Sequence, residues 1–469
     1  MTDHYFCVHG HFYQPPRGNP FDDDDIGVEP GAEPYSNFNE KITAECYTPN
    51  AELGNFELMS FNLGATLARW LEKHAPDTYN RIISSVNNYR VKWGVSNALA
   101  QPAHHAVLPL CGPRDKALQV RWGLHSFEHR FGHRAEGMWL PEMAVDLETL
   151  QVLHDSGLKF TLLSQAQVRN PPPGAGPYWV KLPSGNRIAV FVRDDWQSNQ
   201  VAFNVHTFGG AGRWAHNTLV PLKRDYGGRL LLLATDGETF GHHHPREEQF
   251  LHWLLTYEAN SVGYEVTTLA RDLRDHLPTQ EVEINEFTAW SCSHGLARWS
   301  TGCECTPGDT RWKGALRRAF DNVAHLIDEA YLDGVRRLDV DPWGLREQYF
   351  HVVLKQMTGE QLLQQAGLSR LSSAETRVVL ALLQSQFYRQ RMYVSCTFFF
   401  EDLDRPEPRY GVANAVRAAL LVQQATGSDL IPNLHRDLTQ ALSNKTGKTG
   451  VQLLDEVLTW ADASQKGMA

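Results

Sequence analysis

The sequence has little of what would place it in a membrane, on nucleic acid or in an oxidising compartment. No apolar stretch approaches the roughly 20 residues that a helix needs to cross a bilayer. Basic residues do not dominate: 44 Lys and Arg stand against 54 Asp and Glu, for a formal net charge of -10, and no long basic run occurs. That balance argues against nucleic acid or an anionic membrane surface as the main partner. Cysteines are few, seven in all, odd in number and scattered, which fits a reducing compartment better than a disulfide framework. The start of the chain passes from Met1 through His4 straight into Tyr5-Phe-Cys-Val8, without the positive charge and apolar stretch of a signal peptide. A cytoplasmic protein is therefore expected. No repeat of fixed period is visible. Gly209-Gly-Ala-Gly212 is not followed by Lys and Ser or Thr, which argues against a phosphate loop, and no cofactor is expected.

What is present reads as a soluble globular enzyme of two domains. The 469 residues exceed what one core usually holds, with 42% hydrophobic and 21% charged residues. Residues 1 to about 275 alternate strand-like runs with helix-like stretches. The strand candidates are Tyr5–Val8, Val91–Val95, Gly137–Leu140, Phe160–Ser164, Ile188–Val192, Leu230–Ala234 and Glu265–Thr267. Helical candidates between them are Gly54–His74, Leu118–Phe131, Asp146–Ser156 and Pro245–Ala259. Such alternation gives βαβ units and a parallel sheet, hence a barrel or a doubly wound sheet. From about residue 311 onward the pattern turns helical, over Trp312–Leu332, Trp343–Met357, Ser373–Tyr393 and Val412–Ala425. We expect domains at 1–275 and 311–469, joined by a connecting segment at 276–310. The acidic run Asp22–Asp25 reads as a solvated loop, with calcium binding as the sharper alternative.

Two apolar runs end on carboxylates: Gly137-Met-Trp-Leu-Pro-Glu142 and Leu230-Leu-Leu-Leu-Ala-Thr-Asp236. A strand buried on both faces looks like this, and a charge at its C-terminal end sits where α/β folds place their chemistry. A single strand-end carboxylate usually pairs with an arginine or caps the next helix. Here Trp139 flanks one carboxylate, and Gly237, Glu238 and the run His242-His-His244 flank the other. Those flanks favour a catalytic pair for glycosidic bonds. The groups His9 and His11, His104 and His105, and His242–His244 also fall at strand ends. They would either hydrogen-bond sugar hydroxyls or, as in a metal-dependent deacetylase, hold an ion with Asp236. Cys292, His294, Cys303 and Cys305 are close enough in sequence for a metal, but two thiolates one residue apart chelate poorly. They are taken here as loop residues beside the site, with no metal expected.

These motifs resemble glycoside hydrolase family 57, retaining enzymes that act on α-glucans. His9-Gly-His11-Phe-Tyr-Gln-Pro15, Asn55-Phe-Glu57-Leu58, Trp139-Leu-Pro-Glu142 and Asp236-Gly-Glu-Thr-Phe-Gly-His242 resemble its four ordered motifs, and His105-Ala-Val-Leu-Pro109 a further segment. The resemblance implies an α/β fold, an incomplete (β/α)7 barrel followed by an α-helical C-terminal domain. It implies Glu142 as nucleophile and Asp236 as general acid/base. It implies His9, His11 and His105 as sugar ligands, with Trp139, Trp290, His294 and Trp299 lining the site. Trp290-Ser-Cys-Ser-His-Gly295 and Arg298-Trp299 are similar to a less characterised branch with its own helical region. The implied partner is an α-glucan or maltooligosaccharide. Only residues 143–235, 93 in number, separate the two carboxylates. The family's branching enzymes carry a much longer insertion there, so hydrolysis or glucanotransfer is expected instead. The rival readings are a metal-dependent deacetylase-like hydrolase and a non-catalytic glucan-binding protein.

Overall fold

The computed structural model describes residues 4–467 and resolves them into two units. One comprises residues up to 14 with 28–103 and 126–291; the other comprises 15–27, 104–125 and 292 onward. In sequence the second unit is therefore discontinuous.

The first unit is built on parallel strands β1 (Tyr5–Phe12), β2 (Ser60–Leu63), β3 (Ala98–Leu99), β4 (Phe160–Ser164), β5 (Arg187–Arg193) and β6 (Leu230–Asp236). β1 lies between β6 and β2, and β2 pairs with β3. Residues 137–139 bridge β3 to β4 through single pairings of Met138 with Ala100 and Gly137 with Phe160. β4 then pairs with β5. From β5, the Asp194 amide donates to Leu232 of β6 at 2.9 Å, and Ala175 is interposed lower down, bonding Leu230 on one side and Val192 on the other. Six strands and one bridging segment thus run parallel around one core, as an incomplete (β/α)7 barrel does.

The interior follows from period 2. Phe160 and Leu162, Ala189 and Phe191, Leu230, Leu232 and Ala234, and Cys7 all enter one buried cluster with Trp139 and Met143. Continuing by two residues along the same faces puts His9 and His11 of β1, and Asp236 of β6, above that apolar plug. Helix Leu147–Asp155 starts at the expected acidic turn, where Asp146 accepts the Thr149 amide at 2.7 Å.

Three local expectations are corrected. The expected strand Gly137–Leu140 is only a segment with single bridge pairings at Gly137 and Met138. Gly54–His74 is not one helix: Asn55–Leu58 and Ala65–His74 flank strand β2. Val91–Val95 is not a strand; Pro76–Trp93 is a helix ending on Gly94 at φ 74°, and the strand lies at Ala98–Leu99. Four-residue and two-residue strands leave too few alternations to outweigh the helical periodicity around them.

The second unit is helical, with Trp312–Val335, Pro342–Val353, Ser373–Arg391, Pro406–Thr426 and Gly450–Gly467 among its longer helices. The early segments join it through buried charges. Asp24 pairs with Arg391 at 2.6 Å, which commits one carboxylate of the acidic run to structure rather than to calcium. Asp115 receives Arg389, Arg346 at 3.2 Å and Gln390 at 2.7 Å, while Arg389 also holds Asp328 at 2.8 Å. Burial opposes the Asp115 charge, but Arg389 and Arg346 outweigh it and hold the carboxyl below its usual range.

A carboxyl depressed in the folded state contributes stability above its unfolded value and loses it as pH falls through the folded one. Asp115→Asn should therefore cost about 3 kcal/mol at neutral pH, the low end for a broken buried pair because Arg389 keeps Asp328. Urea melts should show the difference shrinking below about pH 4. A cost independent of pH would show that the charge is not what Asp115 contributes.

Candidate active site

Strand register assembles the site. On β1, His11 is level with Asp236 of β6 on one side and with Asn62 of β2 on the other. Asn62 Oδ1 lies 3.1 Å from His9 Nε2 and 3.1 Å from His11 Nδ1, and its amide nitrogen donates to Gln101 at 2.7 Å. One asparagine thus fixes both imidazoles. Burial lowers the pKa of His9 to about 3 and of His11 to about 4, so both rings are neutral at pH 7. Trp139 stacks on them at centroid distances of 5.2 and 4.4 Å, and Trp290 meets Trp139 edge-on at 5.2 Å.

Asp236 ends β6. Burial raises its pKa, against the attraction of His11 and Arg193. Because His11 is neutral at pH 7, Arg193 is the cation that opposes the shift there. Arg193 is held by Asp195 at 2.8 Å and by the Ala234 carbonyl at 2.9 Å, and it lies over the Trp290 ring at 5.1 Å. Gly237 must follow Asp236 without a side chain, since a Cβ there would stand 2.4 Å from the Phe12 ring. The turn it allows buries Glu238, whose Oε1 accepts the Tyr47 hydroxyl at 2.6 Å and the Tyr13 amide at 3.1 Å. Burial, then the nearby Asp236 charge, raises the Glu238 pKa to about 8.

Glu142 sits on a strained turn. It and Met143 both have positive φ, 59° and 48°, a region that costs non-glycine residues about 1–3 kcal/mol each. The surroundings overdetermine this turn. Met143 is fully buried, and its carbonyl accepts Gln167 Nε2 at 2.6 Å. The Glu142 carbonyl accepts the Trp290 amide at 3.1 Å, and its carboxylate accepts the Ser291 hydroxyl at 3.2 Å.

The first unit therefore brings together Glu142, Asp236, His9, His11, Trp139 and Trp290. Trp139 has no exposed surface, so it positions the imidazoles and offers no face to a sugar. Its Nε1 and His9 Nδ1 are buried without a hydrogen-bond partner among the described residues. The other three expected residues belong to the second unit. His105 bonds Ser395 through Nδ1 at 2.8 Å. Trp299 is 1% exposed and packs near Phe399, and His294 lies 3.2 Å from the Cys305 sulfur. A ring as buried as Trp299 serves packing, and His294 is directed to the cysteines.

Asn55 is a structural residue tied to Asn50 and the Glu248 carbonyl. The run His242–His244 is also engaged elsewhere. His242 bonds Glu45 at 2.7 Å, and His244 bonds His206 and the Ala202 carbonyl, each at 2.9 Å. Among the described residues, the one group of three or more His, Cys, Asp or Glu side chains close enough to share an ion lies in the second unit. Sequence reasoning missed Asn62, Arg193 and Ser291. For Arg193 the signal was there, in the charged Arg193-Asp-Asp195 that ends an apolar strand.

Parallel barrels place their reacting groups at the C-terminal ends of the strands, where Asp236 and Glu238 stand. The sequence model of glycosyl hydrolase family 57 matches residues 27–285, more than half the chain, and the protein belongs to that family. A domain of unknown function, DUF3536, matches residues 309–466. No curated protein matches the chain in sequence. Solved structures with the same fold include an exo-type maltose-forming amylase from Pyrococcus sp. ST04, 15% identical, with a TM-score of 0.74 over 98% of this chain and 88% of that one. The branching enzyme of Thermococcus kodakaraensis is 17% identical, with a TM-score of 0.59 over 99% and 95%. The 4-α-glucanotransferase of Thermococcus litoralis is 16% identical, with a TM-score of 0.57 over 89% and 60%.

The raised Glu238 pKa has a measurable sign. A carboxyl whose folded pKa lies above its unfolded value stabilises the protein at low pH and loses that contribution as pH rises through the folded value. Wild type should therefore lose stability between about pH 5 and about pH 9 relative to Glu238→Gln, whose amide oxygen still accepts from Tyr47 and Tyr13. Thermal melts of the two proteins across this range measure it. Parallel pH dependences would mean that Glu238 is ionised in the folded state.

Proposed function

We propose that this protein is a retaining glycoside hydrolase or glucanotransferase acting on α-glucans, with Glu142 as nucleophile and Asp236 as general acid/base. The observation that carries the reading is the contrast between the two carboxyls. Asp236 is held toward its protonated form, whereas Glu142 is fixed in a strained conformation with a hydroxyl donor on its carboxylate. A double displacement needs one group that gives a proton and one that attacks.

In the first step Glu142 attacks the anomeric carbon. The glycosidic C–O bond breaks, its electron pair stays on the leaving oxygen, and Asp236 supplies that oxygen's proton. In the second step water or an acceptor hydroxyl gives its proton to Asp236 and displaces Glu142, with net retention. His11, neutral at pH 7 and the less deeply buried of the two imidazoles, would bond a sugar hydroxyl, with His9 proposed beside it on the family motif. Trp290 would wall the subsite. His105 remains a proposed ligand on the family motif alone.

In this reading the barrel within 1–275 carries the chemistry, 276–310 supplies a rim segment and 311–469 is the helical domain. The family's glucan-active enzymes with this fold support the substrate class. The cytoplasmic setting belongs to the same proposal and rests on the few, scattered cysteines; among the described residues no helix is long and apolar enough to cross a membrane.

A general acid matters most for a poor leaving group. Asp236→Asn should lose about 10²–10⁴-fold in kcat/KM on a maltooligosaccharide and far less in the first step on an activated aryl glycoside. Glu142→Gln should fail on both. The basic limb of the wild-type pH profile should vanish in Asp236→Asn. Equal losses for both variants on both substrates would overturn the division of roles. Products from maltoheptaose then identify the reaction: longer chains mean transfer, glucose and maltose mean hydrolysis. Binding without turnover would make the protein a glucan-binding one.

A further inference from the structure

The second unit contains a group of side chains that the proposed glycoside chemistry does not use. Cys292, His294, Cys303 and Cys305 place one ligand atom each within 4.8 Å of one another. The Cys292 sulfur lies 3.6 Å from that of Cys303 and 3.8 Å from that of Cys305, and His294 Nδ1 lies 3.2 Å from the Cys305 sulfur. These distances are far beyond the roughly 2.05 Å of a disulfide. They are close to the edges of a tetrahedron built on zinc. Bonds of about 2.3 Å to sulfur and about 2.0 Å to nitrogen give edges of about 3.8 Å between sulfurs and about 3.5 Å between nitrogen and sulfur. The sequence expectation was of loop cysteines beside the site with no metal; the structure brings all four side chains into one cluster. Each tight pair chelates poorly by itself, but the loop folds one pair onto the other.

Three features around the cluster fit an ion there. The backbone turns sharply to bring Cys303 back: Gly302 has φ 89°, and a Cβ on it would fall 2.4 Å from the Thr310 carbonyl oxygen. Residues 292–311 hold only one short helical turn, Ala297–Trp299, so a stretch of this length needs something other than secondary structure to order it. Lastly, the charge matches. A divalent ion with three thiolates and a neutral imidazole carries a net charge of about -1. Lys313, with no exposed surface, has only the neutral oxygens of Thr306 and Phe399 as hydrogen-bond partners, at 3.3 and 3.4 Å. Arg298 is buried too, and it donates to the Cys305 carbonyl at 3.2 Å. Among the described residues neither cation has a carboxylate at ion-pair distance, Glu401 acting on Lys313 only from further off, so both are suited to an anionic centre beside them.

We propose that Cys292, His294, Cys303 and Cys305 form a structural zinc site that clips this loop of the second unit. All four positions of the ion are taken by protein, which leaves none for substrate and distinguishes the site from a catalytic one.

The test uses the full chain, purified under reductant without a histidine tag, and elemental analysis. About one zinc per chain is expected, and Cys305→Ser and His294→Ala should each lower zinc affinity by at least about tenfold to a hundredfold. Asp236→Asn should keep its zinc. Should the cysteine variants fail to fold, the wild-type protein suffices. Stripped with a chelator, it should melt at a lower temperature, recover on adding zinc, and take up one cobalt ion with a thiolate-to-cobalt charge-transfer band. Zinc should also protect Cys292, Cys303 and Cys305 from alkylation, read by peptide mass mapping. A stripped protein that binds neither zinc nor cobalt would overturn the proposal. So would zinc that survives in both ligand variants or disappears in Asp236→Asn.

Discussion

The parallel register of β1 is the constraint on which the site depends. With His11 level with Asp236 on one neighbour and with Asn62 on the other, three strands place an acid, an imidazole and an amide in one row. A slip of one residue would turn His9 and His11 out of the barrel and put Val8 and Gly10 in their place. The apolar plug below prevents that slip. Cys7, Leu230, Leu232 and Ala234 fill it from the same faces that carry the polar row above. Packing and chemistry thus share one alternation.

Above that plug, two kinds of stored free energy coexist. Around Asp236 and Glu238 the stored term is electrostatic, because burial disfavours both charges and the Asp236 charge further disfavours that of Glu238. At Glu142 it is conformational, with two successive left-handed residues pinned by Gln167, Trp290 and a buried Met143. Neither would persist on a soft support. The imidazoles between them are neutral at pH 7, clamped by Asn62 and covered by Trp139, so they add hydrogen-bonding groups without adding charge.

How much of this the sequence disclosed depends on length and context. Asp236 was legible because it ends an apolar run long enough to declare itself a strand, whereas the run before Glu142 forms only single bridge pairings and was marked by its Trp and Pro. β4 was legible to the residue, and β5 and β6 nearly so. β2 was not: four residues between helices cannot interrupt a helical period convincingly, and Asn62 was hidden with it. Val91 belongs to a helix end and is 89% exposed, so an apolar pattern there was mistaken for burial. Trp139 was found but its role was reversed by depth, since an indole beside a carboxylate looks the same in sequence whether open or covered. His242–His244 clustered in sequence, but His242 is spent on Glu45 and His244 on His206 and the Ala202 carbonyl. The cysteines show the opposite, with modest spacing along the chain resolving into one compact ligand set.

The discontinuity of the second unit bears on how the chain is made. Asp115 and Arg389 are separated by 274 residues, and Asp24 and Arg391 by 367. Translated from the N-terminus, Asp24 and Asp115 leave the ribosome long before the arginines that neutralise them. Closing such loops is entropically slow, and it falls late in synthesis. The strands of the barrel sheet are complete by residue 266, the last being Glu265–Val266 beside β1, whereas the second unit cannot pair its charges until helix Ser373–Arg391 has emerged. A nascent chain cut short before that helix would leave Trp122 without the Phe387 ring it packs near, exposing apolar surface of the kind that chaperones bind.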